Sequence, residues 1–217
     1  MMQPKAENIV WHAAKVTRQQ RAELFGTAPC VVWLTGLSGC GKSTIAVKLE
    51  QQLLAHGYPA YVLDGDNLRH GLNRDLGFSA AERSENVRRV GEVAKLLSDA
   101  GVIAIVSLIS PYKKDRAIAR QLLGPEEFIE VFVDAPLELC RLRDPKGLYK
   151  KADAASAAGK PMMMTGVDAP YEPPEAPELH LATDRQSVEQ SVHQIQEYLW
   201  QHRRLLPQKK DQQTFAK

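Results

Sequence analysis

An α/β fold, about five parallel strands with helices on both faces of the sheet, is what this chain predicts. Two observations carry that prediction. Five short apolar runs alternate with segments of helical period, and the first run leads straight into a glycine-rich loop and a helix start. Strands that alternate with helices pair in parallel, and ligands of such sheets sit beyond the carboxyl ends of the strands. With 217 residues, 44% of them hydrophobic and 25% charged, the chain is long enough for one core of this kind.

The elements follow in order. Residues 1–28 are mixed and polar, with a short helix expected around 17–25. A first strand at 31–35 enters the loop Gly36-Leu37-Ser38-Gly39-Cys40-Gly41-Lys42-Ser43, and a helix runs on to His56, stopped by Gly57. A second strand at 60–63 ends in Asp64-Gly65-Asp66-Asn67, and a polar stretch reaches Phe78. Ser79 and Glu82 have the spacing of a capping box, opening a helix with Val87, Val90, Val93, Ala94 and Leu97 on one face. Gly101 stops it. A third strand at 102–108 runs into Ile109-Ser110-Pro111-Tyr112, where the proline ends it. A helix at about 113–123, a fourth strand at 128–133 and another short helix come next. Residues 143–178 hold six of the thirteen prolines, three successive methionines and little periodicity, which reads as a long mobile functional loop. A fifth strand at 178–182 and an amphipathic helix at about 187–200 complete the core, leaving a polar tail expected to fray.

Bulk properties narrow the function. A net charge of +2 argues against general nucleic-acid binding. The longest apolar stretch, 102–109, falls far short of the ~20 residues of a membrane helix, and no secretory leader opens the chain. Cys30, Cys40 and Cys140, odd in number and without zinc-type spacing, read as reduced thiols of a cytoplasmic protein.

The chemistry begins at residues 36–43, a complete G-x-x-x-x-G-K-S phosphate loop between a strand and a helix. Its glycines turn backbone N–H groups inward around phosphate oxygens, and the helix N-terminus adds partial positive charge. Lys42 reaches the β/γ-phosphates and the Ser43 hydroxyl is a Mg²⁺ ligand, so the chain is expected to bind a nucleoside triphosphate. Asp64 and Asp66, at the end of the second strand, suit metal holding and proton acceptance; Asp-Gly-Asp-Asn also fits a plain turn. Arg69, Arg83, Arg88 and Arg89 suit an anionic second substrate, though Arg88 and Arg89 at helical spacing also fit a solvated face. Phe78 fits either a base-stacking surface or a core residue. Arg141, Arg143, Lys146, Lys150 and Lys151, at the start of the long loop, read as a basic lid or as a solvated charge run.

Taken together these motifs resemble the adenylylsulfate kinase (APS kinase) family. The likeness is carried by residues 36–44 of the phosphate loop, by Leu63-Asp64-Gly65-Asp66-Asn67 and by Leu76-Gly77-Phe78-Ser79. It continues through residues 85–95, Ile109-Ser110-Pro111-Tyr112, Val131-Phe132-Val133-Asp134-Ala135-Pro136 and Arg143-Asp144-Pro145-Lys146-Gly147-Leu148-Tyr149-Lys150-Lys151-Ala152. The opening Glu7-Asn8-Ile9-Val10-Trp11-His12 is similar to bacterial members, and the similarity covers roughly residues 7–200. It implies a P-loop nucleotide-kinase-like fold that transfers phosphate from ATP to the ribose 3′-hydroxyl of adenylyl sulfate, with Mg²⁺, as a homodimer. The organisation implied is an extension at 1–28, a kinase domain at 29–200 with a lid at about 143–178, and a tail at 201–217.

The resemblance also implies roles for residues. Gly36, Leu37, Ser38, Gly39, Cys40, Gly41, Lys42, Ser43, Thr44 and Arg143 would bind ATP, and Ser43 with Asp64 would hold the metal. Asp64, Asp66, Asn67, Arg69, Phe78, Arg83, Asn86, Ile109, Ser110, Lys146, Met164 and Thr165 would face adenylyl sulfate. Lys42, Asp64 and Ser110 would be catalytic, and the family commonly assigns Ser110 as a phosphoserine intermediate. No base stands beside Ser110 in the sequence and in-line transfer needs no covalent step, so the chain reads Ser110 as a substrate-site residue. After Ala152 the chain departs from the family pattern, with a longer segment and Met164 at the position of a family aromatic. A separate ATP sulfurylase is a candidate partner that the resemblance implies.

Two rival readings lack support in the residues. A kinase for a neutral sugar would not need the arginine group, and a nucleotide switch would carry an Asp-x-x-Gly strand end and an Asn/Thr-Lys-x-Asp base motif, both absent here.

Overall fold

A computed structural model describes residues 8–124, 126–160 and 162–207. In chain order the elements are α1 (Arg18–Phe25), β1 (Val31–Thr35), α2 (Lys42–Ala55), β2 (Ala60–Asp64), α3 (Gly65–Arg69), α4 (Ala80–Asp99) and β3 (Ile103–Ser107). They continue with α5 (Lys113–Gln121), β4 (Phe128–Asp134), α6 (Leu137–Arg143), α7 (Leu148–Ala157), β5 (Leu179–Ala182) and α8 (Val188–Gln201). The five strands form one parallel sheet in the order β2-β3-β1-β4-β5, with Val31 opposite Ala104 on one side and Phe128 on the other. The chain passes from central β1 to the edge strand β2, steps back in to β3 beside β1, and then crosses to β4 and β5 on the other side. The loop after β1 opens at the carboxyl edge of the sheet.

Every residue of β1 and β3 is buried, as expected of strands covered on both faces. Alternate residues of β1 serve opposite cores. Cys30, Val32 and Leu34 join Leu49 and Leu53 of α2 and Val192, Ile195 and Leu199 of α8, whereas Val31 and Trp33 join Val87, Val90 and Ala94 of α4. Burying each of these larger aliphatic side chains contributes about 1.5–3 kcal/mol. Helix starts are set by their sequence. Ser79 and Ser187 each close a capping box, with Glu82 and Gln190, and such a cap contributes about 1 kcal/mol.

Three expectations need correction. Asp64-Gly65-Asp66-Asn67 is not a plain turn: Asp64 accepts hydrogen bonds from the backbone N–H groups of Asp66 and Asn67 and caps α3, so the polar stretch to Phe78 begins as a helix. The segment 143–178 is not irregular throughout, because α7 occupies its first third. Tyr149 and Ala152 of α7 are buried, and the Tyr149 hydroxyl donates to the Ser38 carbonyl at 2.9 Å. One helical turn between two buried residues was too weak a period to read beside Pro145, Gly147 and Gly159. The tail does not fray from residue 201: Leu205 is buried and bridges Thr27 in antiparallel fashion, and the Tyr58 hydroxyl donates to the Leu206 carbonyl. Residues 208–217, and Glu7 of the opening motif, lie outside the described residues. At the other end, Arg18 of α1 bonds Glu127, Ser98 and the Pro29 carbonyl, fastening the extension to the core.

Candidate active site

At the carboxyl ends of β1, β2 and β3 a cavity of about 920 Å³ opens between the phosphate loop, α3, the start of α4 and the segment that follows α6. The loop fits tightly under its neighbours. Gly36 has φ +153° and a Cβ there would overlap the Val133 carbonyl, while at Gly39, φ +79°, a Cβ would stand 2.9 Å from the Cys140 carbonyl. Only glycine lets the backbone pass so close. Residues 38–44 line the cavity. Gly36 and Leu37, expected with them, do not; their carbonyls accept the Lys42 ammonium at 2.9 and 2.7 Å, and the Leu37 side chain packs against the core.

The metal-side residues meet across the loop. Ser43 Oγ donates to Asp64 Oδ2 at 2.7 Å and lies 3.3 Å from Ser107 Oγ. Hard oxygen donors from a helix N-terminus and a strand end suit Mg²⁺, which keeps several waters and takes few protein ligands. Asp66 pairs with Lys146, joining α3 to the segment after α6 over the cavity mouth. Asn67, expected to face substrate, is not among the lining residues; its backbone N–H is spent on Asp64.

The opposite wall holds the aromatic and cationic groups. Phe78 is 58% exposed, so it is no core residue, and the Arg69 guanidinium lies 4.2 Å over its ring with that of Arg83 at 5.6 Å. Arg69 donates to the Leu76 and Gly77 carbonyls. Arg83 donates to the Phe78 carbonyl, to Thr165 Oγ1 at 3.0 Å and to the Met163 carbonyl, tying α4 to the segment after α7. Partial burial lowers the pKa of both arginines from the ordinary value, which marks cations held in a half-dry wall. Met164 and Thr165 line the same wall, Thr165 being 2% exposed. Asn86 also lines it, with its Oδ1 accepting from Asn73. Arg88 and Arg89 do not reach the cavity; they pair with Glu85, and Arg89 also with Asp75.

Ile109 and Ser110 form the floor. Ser110 is 3% exposed and has φ +39°, a left-handed conformation that non-glycine residues seldom adopt. Its hydroxyl accepts from Trp33 Nε1 at 3.1 Å and donates to Thr35 Oγ1 at 3.0 Å. Thr35 in turn donates to the Ile109 carbonyl at 2.8 Å and lies 3.0 Å from the Tyr171 hydroxyl. Arg143 stands at the far end of the phosphate loop, donating to the Thr183 carbonyl, while Thr183 Oγ1 donates to the Cys40 carbonyl. Sequence reading gave no site role to Thr35 and Tyr149, although both fall in segments it singled out, and passed over Tyr171 and Thr183. Thr35 adjoins the loop in sequence, but only the fold brings Tyr149 to Ser38, Thr183 to Cys40 and Tyr171 to Thr35.

No helix among the described residues is long and apolar enough to cross a membrane. All three cysteines are free and buried, and burial pushes the thiols of Cys30 and Cys140 up to about 12 and about 11.

A family model described as adenylylsulphate kinase matches residues 28–182. The adenylyl-sulfate kinase of Aeromonas hydrophila is 59% identical over 174 residues, covering 80% of this chain and 86% of that protein. The bifunctional enzyme NodQ of Rhizobium tropici is 56% identical over 195 residues; the match covers 90% of this chain and only 30% of that longer relative. Among solved structures, the Mycobacterium tuberculosis APS kinase CysC in complex with AMPPNP and APS is 47% identical with a TM-score of 0.74, covering 80% of this chain and 98% of that one.

Proposed function

Starting from the fact that this chain belongs to the adenylylsulphate kinase family, we propose how its own residues perform the family's reaction. The reaction is ATP-dependent phosphorylation of adenylyl sulfate at the ribose 3′-hydroxyl, giving 3′-phosphoadenylyl sulfate and ADP. One observation carries the assignment of roles: a single cavity with the phosphate loop on one wall and an aromatic residue flanked by two arginines on the other, joined by Ser43 and Asp64.

In this reading the loop N–H groups and Lys42 hold the triphosphate, and Arg143 borders the nucleotide end of the loop. Phe78 stacks on the adenine of adenylyl sulfate, while Arg69 and Arg83 face its anionic groups through charge-assisted hydrogen bonds. Asp64 takes up the proton of the attacking hydroxyl or holds the metal beside Ser43; Mg²⁺, when bound, would neutralise charge building on the transferred phosphoryl group. Lys146, paired with Asp66, brings positive charge across the mouth and helps exclude water. Ser110 shapes the floor, and the phosphoryl group passes in line without resting on it. Homodimer formation and association with a separate ATP sulfurylase are further proposals that rest on the family resemblance. Three buried, unpaired thiols suit a reducing cytoplasm.

The test is direct. Incubation with ATP, Mg²⁺ and adenylyl sulfate should give ADP and a 3′-phosphorylated product in equal amounts. Lys42→Ala and Asp64→Asn should each lower turnover at least ~100-fold in a folded protein. Asparagine can still cap α3 through its one oxygen, so the second change removes the charge and the acceptor that Ser43 uses while leaving the helix start in place. Near-normal turnover in folded Asp64→Asn would remove that residue from the mechanism.

A further inference from the structure

Arg116 is the fourth residue of α5, and a side chain there points back toward the helix start and the loop that precedes it. It is 3% exposed and does not line the cavity. A guanidinium so deep is costly unless every nitrogen is used. All three are. Nε donates to Glu130 Oε1 at 2.7 Å, Nη1 to the Ser110 carbonyl at 2.7 Å and Nη2 to the Glu172 carbonyl at 2.8 Å. Glu130 also meets Arg120, and Arg120 is forked onto Glu178, so two arginines and two glutamates balance one another. Arg116 therefore has no surplus charge to offer a ligand.

Its two carbonyl contacts lead to the site. Ser110, held at φ +39°, keeps that conformation only because its surroundings over-determine it. Trp33 and Thr35 fix the hydroxyl, and Arg116 fixes the carbonyl. The second contact holds the strand of chain that follows the cavity-lining Met164 and Thr165. There Tyr171 reaches Thr35, and the Glu172 N–H donates back to the Pro111 carbonyl at 2.9 Å. We propose that Arg116 is a positioning residue for the phosphoryl acceptor: its planar fork locks the Ser110 loop and the 171–172 segment into one geometry, with Glu130 serving to hold the fork. The proposal rests on the reading above that the Phe78–Ser110 side of the cavity takes adenylyl sulfate. Lysine cannot replace the fork, since a point charge on a flexible stem does not bridge two carbonyls and a carboxylate in fixed directions.

Two variants and one optical probe test it. Arg116→Lys keeps a cation beside Glu130, and Arg116→Met with Glu130→Met removes both charges so that neither is left buried alone. Trp33 is fully buried against Ser110, whereas Trp11 and Trp200 are exposed, so replacing the latter two by Phe isolates the Trp33 emission. Arg116→Lys should lower kcat/KM for adenylyl sulfate about 100-fold and shift Trp33 emission. The KM for ATP should stay within about twofold. The double Met variant should show the same adenylyl sulfate defect even where its unfolding temperature equals or exceeds the parent's. Three outcomes would overturn the proposal: normal kinetics with unshifted emission in Arg116→Lys, recovery of parental kinetics in the stable double variant, or an equal loss toward both nucleotides. Phe78→Ala separates the underlying reading. If it weakens ATP and leaves adenylyl sulfate unaffected, the two sides are assigned the wrong way round, whatever Arg116 does.

Discussion

Ser110 shows how much one residue's surroundings constrain its chemistry. Both sides of its hydroxyl are engaged, by the Trp33 indole and by Thr35, so the oxygen is not presented as an unencumbered nucleophile. Ser110→Ala should retain measurable kinase activity while destabilising the protein by about 1–3 kcal/mol, because Trp33 Nε1 is left buried without an acceptor. Steady-state assay and denaturant melts check the two halves. A trapped phosphoserine that forms and discharges as fast as turnover would refute the first. The position of Ser110 in the cavity was legible, since it follows a buried strand and precedes a proline. Its partners were not. Trp33, Thr35 and Arg116 are separated from it by 77, 75 and 6 residues, and nothing in their types marks them as meeting. The same holds for Arg83, whose contacts with residues 163 and 165 span 80 and 82 residues.

Capping alone did not decide which elements were legible, since α3 is capped by Asp64 yet reads as a polar stretch, whereas α5 has no side-chain cap and its start after Pro111 and Tyr112 was read from sequence. The capping boxes of α4 and α8 and the glycine loop before α2 fix their boundaries from local residues alone. The N-cap of α7 is Gly147, at φ +64°, which has no side chain to cap with. Asp144, three residues earlier, does so instead, its carboxylate accepting from the Tyr149 and Lys150 N–H groups at 3.2 Å, and that spacing is not a local capping box. The buried Tyr149 and Ala152 of α7 divide the segment proposed as a lid into an anchored helix and a connection whose residues 158–160 and 162–163 are exposed. Proteolysis within 146–168 should therefore concentrate in that connection and fall when ADP and adenylyl sulfate are both bound. Met164→Phe should tighten adenylyl sulfate by about 0.5–1.5 kcal/mol, measured by titration calorimetry, if the new ring reaches the adenine; unchanged affinity would detach Met164 from the base. On α4, hydrogen bonds from Arg88 and Arg89 hold Glu85 down at about 2 against an ordinary 4.5. The ion pairs stabilise the fold above pH 4.5, and that stability is lost as the pH falls toward 2. Since the pairs are solvent-screened, the effect is small. The stability gap between wild type and Glu85→Gln, followed by thermal melts, should be present at neutral pH and close across that window.

At the scale of the whole molecule, alternation of strands and helices announced a parallel sheet, and the phosphate loop announced which edge would be used. What the alternation could not give is how the two ends of the core lie, because that depends on a contact spanning nearly its full length. The bridge between Thr27 and Leu205 supplies it. Thr27 stands just before β1, at the amino edge of the sheet, while the cavity opens beyond the carboxyl ends of the strands. Start and finish of the core are thus side by side and turned away from the chemistry. The linear order of the elements is then one of several that the same contacts would tolerate. A circular permutant with residues 27 and 205 joined by a short glycine-serine link, and new termini at the exposed turn of His56 and Gly57, should fold. It should also keep kcat/KM within about tenfold of the parent, since closing a short loop costs little. Failure to fold where the unpermuted 27–205 segment, which likewise lacks α1 and its Arg18 contacts, does fold would mean that continuity between α2 and β2 matters more than proximity of the ends. By the same geometry, cargo attached at either end of the core would ride behind the sheet, out of the path of both nucleotides.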